Sequence, residues 1–196
     1  ADFTSSTPPG VTASSLFFPS GVVVDPTTRK VFVADIYNNR VLRYSSADAL
    51  TNGAPAEAVL GQASFATADA PLLPNSQSMN GPRALFFDHL GRLWVTDTLN
   101  HRVLRFSAAS YISAQTSADR VYGQATFTTS TPSTTATGMN TPIGGVWVDS
   151  SDRLWVGDSG NNRVLRFDDI TNKASGSAAT AVLGHINFLV GTPGSG

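Results

Sequence analysis

A threefold internal repeat constrains this 196-residue chain more than any other property it has. The phrase VFVADIYNNRVLRY at 31–44 returns as LWVTDTLNHRVLRF at 93–106 and as LWVGDSGNNRVLRF at 154–167. Its aspartates, Asp35, Asp97 and Asp158, stand 62 and then 61 residues apart. Three segments align end to end: 1–62, 63–124 and 125–185. Each opens on a similar phrase (ADFTSST, ASFATAD, ATFTTST) and closes on another (AVLGQ, RVYGQ, AVLGH). The opening phrase starts again as INFLVGT, so 186–196 reads as the start of a further repeat or as a linker.

Alternation and turn residues divide each repeat into four strands. A polar, proline-containing loop leads into GVVVD, ALFFD or GVWVD, and a tight turn follows the Asp. The second strand carries a central aromatic: Phe32, Trp94 or Trp155. A polar turn leads to RVLRY or RVLRF, and the closing phrase supplies the fourth strand. Short helical turns fit the linkers, for example at 111–114. A four-stranded antiparallel sheet of this size is too small to stand alone and must be covered on both faces. Stacking such sheets radially gives an all-β fold, a β-propeller with three blades in this chain.

Composition narrows the partners. Hydrophobic residues make up 41% of the chain, enough for a substantial core. Charged residues are only 14%, while Ser and Thr reach roughly a fifth, so hydroxyls and amides dominate the surface. A net charge of −1 gives no electrostatic footprint for nucleic acid. No apolar run is long enough for membrane insertion as a helix. With no cysteine, disulfides, thiolate catalysis and cysteine-held zinc are excluded. The chain opens mid-motif, which reads as a piece processed or excised from something longer.

The strand P-x-G-V-x-V-D and the hairpin W-V-x-D-x-x-N-N-R-V-L-R-F resemble the NHL repeat over 19–44, 82–106 and 142–167. In the first copy the agreement falls on Gly21, Asp25, Asp35, Asn38, Asn39, Arg40 and Val41. The second copy departs at Ala84 and His101, and the third has one extra residue between Pro142 and Gly145. The long period, with V-L-G-Q after the third strand, resembles an NHL subgroup of secreted proteins, which implies an extracellular or cell-surface location. Because NHL propellers usually close with six blades, the resemblance makes this chain half a ring. Two copies could close it, further blades of the same polypeptide could complete it, or successive arcs could run on as a filament.

The tempting carboxylates, Asp35, Asp97 and Asp158, recur at one slot of every repeat, where each is expected to accept backbone N–H groups of its hairpin turn. Arg40, Arg102 and Arg163 are expected to reach carboxylates or carbonyls of an adjacent strand or blade, and Arg43, Arg105 and Arg166 recur beside them. Asp25, Asp88 and Asp149 end the first strands and begin their turns. The residues that break the pattern are His89, His101 and His185, which sit at different slots and do not read as one metal site. Glu57 is the only glutamate. The loop TFTTSTPSTTAT offers Thr128, Thr129, Ser130, Thr131, Ser133, Thr134 and Thr135 as O-glycosylation candidates, with a shorter version at 4–9. No catalytic, cofactor or metal residue is assigned. The expectation is a non-enzymatic extracellular module that self-associates or joins further blades, with glycans as further partners. The competing reading is half of a metal-dependent propeller lyase or hydrolase.

Overall fold

The computed structural model describes residues 10–108, 111 and 116–193. The first sheet holds β1 (Pro19–Val24), β2 (Lys30–Asp35), β3 (Arg40–Ser46) and β4 (Ala58–Leu60). The second holds β5 (Pro82–Phe87), β6 (Leu93–Asp97), β7 (Arg102–Phe106) and β8 (Arg120–Tyr122). The third holds β9 (Val146–Val148), β10 (Leu154–Asp158), β11 (Arg163–Phe167) and β12 (Ala181–Leu183). Every sheet is antiparallel with its strands bonded in chain order. The sheets stack face to face as three blades of a β-propeller.

The polar turn expected between the second and third strands tightens in each blade into one 3-10 turn: Ile36–Asn38, Thr98–Asn100 and Ser159–Asn161. The next residue turns left-handed, at φ 51° for Asn39, 54° for His101 and 53° for Asn162. Asparagine takes that conformation readily, because its short amide bonds locally. A fourth 3-10 turn, Ala47–Ala49, sits in the first linker, where the Ser46 hydroxyl accepts the Asp48 N–H. Of the helical turn expected at 111–114, only Tyr111 lies within the described residues.

Each strand sends alternate residues to opposite neighbours, so the apolar core lies between blades. Phe32, Ala34, Val41 and Leu60 of blade 1 pack on Leu93, Val95, Leu104 and Phe106 of blade 2. Trp94, Val103 and Tyr122 leave the other face of blade 2 and meet Leu154, Val156, Leu165 and Phe167 of blade 3. The first strands come closest. A Cβ at Gly21 would lie 2.3 Å from the Arg83 carbonyl oxygen, so glycine is what lets β1 and β5 touch.

Candidate functional site

The repeated Asp–Asn–Arg triplet forms a buried clasp in every blade. In blade 1, Asp35 Oδ2 accepts from Asn38 Nδ2 at 2.8 Å and from Arg40 Nε at 2.8 Å, while Oδ1 accepts the Phe17 N–H at 2.6 Å. In blade 2, Asp97 takes Asn100 at 2.9 Å, Arg102 at 2.7 Å and the Asn80 N–H at 2.6 Å. In blade 3, Asp158 takes Asn161 at 2.8 Å, Arg163 at 2.7 Å and the Asn140 N–H at 2.7 Å. The backbone donor therefore comes from the loop entering the first strand, 17 or 18 residues upstream, and not from the hairpin turn as expected. The Asn39, His101 and Asn162 N–H groups of the turns are instead used on the Ile36, Thr98 and Ser159 carbonyls.

The outer nitrogens of each arginine gather backbone carbonyls. Arg40 donates to Thr12 and Ser15 of its own entering loop and to Phe65 of the next repeat. Arg102 does the same with Asn75, Ser78 and Phe127. Arg163 reaches Thr134, Thr135, Gly138 and Phe188. The opening phrases of the second and third repeats thus dock on the blades before them, and 186–191 docks on blade 3, where Asn162 also holds the Gly191 carbonyl.

A second cluster lies at the turn after the first strand. Asp88 Oδ2 accepts from Trp94 Nε1 at 2.7 Å and Arg92 Nε at 2.5 Å; Asp149 Oδ2 accepts from Trp155 Nε1 at 3.0 Å and Arg153 Nε at 2.7 Å. Burial opposes ionisation of Asp149, but hydrogen bonds from Trp155, Arg153 and Ser151 outweigh it and hold its carboxyl down to about 2. Phe32 occupies the tryptophan slot in blade 1 and has no N–H, so Asp25 Oδ2 is served instead by the Thr28 hydroxyl and, at 3.5 Å, the Tyr111 hydroxyl.

Three contacts join each blade to the next, and a fourth, from Arg92, joins blade 2 to blade 3 alone. The Met79 side chain covers Gly61, and Met139 covers Gly123, where a Cβ would fall 2.8 and 2.6 Å from the methionine Cγ. Asn39 Oδ1 accepts the Gly81 N–H at 2.8 Å; His101 Nδ1 accepts the Thr141 N–H at 3.0 Å. Arg43 donates to the Tyr111 carbonyl at 2.6 Å, and Arg105 to that of Ile170 at 2.9 Å. Arg92 reaches from blade 2 to Asp152 and Thr171, both at 2.7 Å. Burial works against the charge on Arg92, yet Asp152 and Asp88 more than offset it and raise its pKa.

The pattern-breaking residues stay apart. His89 is exposed in the β5–β6 turn, and His101 stands in for asparagine at the blade junction. Burial lowers the His101 pKa against the pull of Asp158 and Asp97, favouring the neutral ring that can accept the Thr141 N–H. His185 takes the slot of Gln62 and Gln124, with Nε2 3.0 Å from the Asn161 carbonyl. Among the described residues no group of three or more His, Asp or Glu is placed to hold a metal ion. Glu57 pairs with Lys30. Thr128, Thr131 and Thr135 are exposed; Thr129, Ser130, Ser133 and Thr134 are half-buried; the 4–9 stretch lies outside the described residues. Sequence reasoning missed the methionine plugs, although the S-M-N and G-M-N phrases at 78–80 and 138–140 occupy one repeat position.

No protein-family model matches the chain, and no curated protein matches it. Solved structures do. Kuenenia stuttgartiensis hydrazine synthase matches at 10% identity and a TM-score of 0.54, covering 97% of this chain and 40% of that one. A putative 6-phosphogluconolactonase from Bacteroides uniformis matches at 15% and 0.51, covering 84% and 40%. The RRP9 WD40 repeats match at 14% and 0.51, covering 86% and 39%. The fold they share with this chain is the β-propeller. The chain spans about two fifths of their length.

Proposed function

We propose that the chain is a non-enzymatic, NHL-type propeller module that works extracellularly in structural assembly or protein–protein interaction through blade-to-blade contacts. The observation that carries this reading is the outward face of blade 3. Trp147 and Leu183 are 52% and 55% exposed there, with Trp155 and Val164 half-buried, whereas Trp94, Val103 and Tyr122 at the matching face of blade 2 are at 0%. A contiguous apolar face of this kind marks a surface that binds another protein surface. The clasps support a structural role for the aspartates, because each carboxylate is already engaged by three donors. Native mass measurement of the isolated chain tests the reading: assemblies larger than one chain support it, and a stable, folded monomer counts against it.

Extracellular placement and O-glycans on Thr128, Thr131 and Thr135 belong to the same proposal. Expression through a secretory pathway, followed by intact-mass measurement, should show hexose or N-acetylhexosamine increments mapping to 128–135. Unmodified protein from such a host would remove glycans from the account.

A further inference from the structure

Asn-Gly occurs twice in the chain, at Asn52-Gly53 and at Asn80-Gly81, and the fold treats the two in opposite ways. The dipeptide is a chemical liability in any protein. Glycine has no Cβ to crowd its own backbone nitrogen, and the side-chain amide carbon of the preceding asparagine lies within reach of that nitrogen. Whether the two atoms meet depends on the freedom of the backbone between them.

Asn80-Gly81 leads into β5 and belongs to the junction of blades 1 and 2. The Gly81 nitrogen, the atom that would attack, donates its proton to Asn39 Oδ1 at 2.8 Å. The Asn80 N–H is pinned by Asp97 Oδ1 at 2.6 Å, and the Asn80 carbonyl by the Leu99 N–H at 3.0 Å. The Leu99 side chain closes over Gly81, with Cγ 3.1 Å from where a Cβ would stand. Asn52-Gly53 lies instead in the linker between β3 and β4, with both residues exposed. The linker's turn bond runs from the Ala54 N–H to the Thr51 carbonyl at 3.1 Å. Gly53 takes φ 73° while Asn52 does not turn left-handed, the pattern of a type II turn. Among the described residues, neither the Gly53 N–H nor the Asn52 side-chain amide has a hydrogen-bond partner.

We propose that Asn52 is a site of spontaneous deamidation and isoaspartate formation, and that the junction of blades 1 and 2 protects Asn80 from the same reaction. Gly53 N gives its proton to a solvent base and bonds to Asn52 Cγ. The Cγ–Nδ2 bond breaks, and ammonia leaves with a proton taken back from solvent. Water then opens the cyclic imide at either carbonyl, giving aspartate or isoaspartate, and no oxidant or cofactor takes part. Either product adds one negative charge to a chain that carries −1. Isoaspartate also inserts a methylene into the main chain of the turn. At Asn80 the attacking nitrogen must first leave Asn39, and the peptide must rotate against its pinned neighbours. Giving up one such bond costs about tenfold in rate, so the protection should be about tenfold or more. Conversion at Asn80 thus reports opening of the junction.

Ageing the intact chain in mildly alkaline buffer, followed by peptide mapping with mass spectrometry, tests both halves. Asn52 should convert to a mixture of aspartate and isoaspartate, with Asn80 slower by about tenfold or more. In concentrated urea the fold no longer separates the two sites, and they should convert at similar rates. Asn39→Ala removes the acceptor and should speed Asn80 about tenfold while leaving Asn52 unchanged. Asn39→Asp keeps an acceptor oxygen and should keep Asn80 protected. Circular dichroism checks that both variants fold. Equal rates in the native chain, or conversion at Asn80 ahead of Asn52, overturn the proposal. An Asn52 that stays intact in the native chain overturns the modification site. Asn39→Ala without acceleration at Asn80 overturns the protective role of the junction.

Discussion

The outward faces of blades 2 and 3 are built from the same parts and differ in what covers them. On blade 2, the guanidinium groups of Arg92 and Arg105 lie 5.8 and 5.9 Å from the Trp94 ring centre and then reach across to blade 3. On blade 3, Arg153 and Arg166 lie over Trp155 at 6.0 and 5.8 Å, yet neither reaches past its own blade. The same local geometry thus forms with or without a neighbour. The blade sets its own tryptophan–arginine stack, and the junction is a surface prepared in advance. That preparation is what lets a repeat of sixty-odd residues be joined to copies of itself.

Breaking the clasps should have the largest effect and should not distinguish the blades. Arg102→Met and Arg163→Met each strand a buried carboxylate, which costs about 3–5 kcal/mol, measured by urea denaturation. The guanidinium and carboxylate are fully buried in both blades, so the two losses should match. A much milder Arg163→Met would mean that blade 3 is loose throughout and not merely uncovered.

Tryptophan truncation should separate the faces. Trp94→Ala empties a fully buried site and should cost about 3–5 kcal/mol, while Trp155→Ala should cost about 1–2 kcal/mol at concentrations where the chain is monomeric. Covering that face, as the proposed assembly would, should raise the second value toward the first. If the gap persists in the assembled protein, the blade 3 face is not covered there.

The smallest change should come at the junction residue that differs between blades. His101→Asn puts back the residue of blades 1 and 3 and should alter stability at neutral pH by less than about 0.5 kcal/mol. It should also remove a pH dependence. The folded pKa of His101 lies below its ordinary 6.5, so the unfolded chain takes up the proton first. The contribution is complete above about 6.5 and is lost as pH falls through the lower folded value. Thermal unfolding between pH 7.5 and 5 should slope less in His101→Asn than in the parent.

The strands, their order and the three blades were legible because alternation and turn residues are written locally and repeated at a fixed period. The clasp was half legible. Asp35, Asn38 and Arg40 announce themselves by recurring, but their other partners are backbone groups of Thr12, Ser15, Phe17 and Phe65, and a carbonyl or N–H carries no side-chain signature. His101 read as an anomaly because imidazole suggests titration or metal, whereas here one ring nitrogen offers the lone pair that an asparagine oxygen offers elsewhere. The Ser/Thr loop read as a run of O-glycosylation candidates, yet its carbonyls at Thr134 and Thr135 anchor to the buried Arg163, and only Thr128, Thr131 and Thr135 of those candidates are exposed.

Because Arg40, Arg102 and Arg163 each bind a carbonyl 25 residues downstream, the sequence repeat and the folding unit are out of phase. During synthesis a blade gains its last anchor only after the opening phrase of its successor has left the ribosome, so blades mature one behind the growing end. The same offset governs where the chain can be cut. A break after Gln62, at the alignment boundary, strips blade 1 of its Phe65 anchor; a break beyond Asp69 leaves that anchor and the Gln62 contact to the Asp69 carbonyl in place.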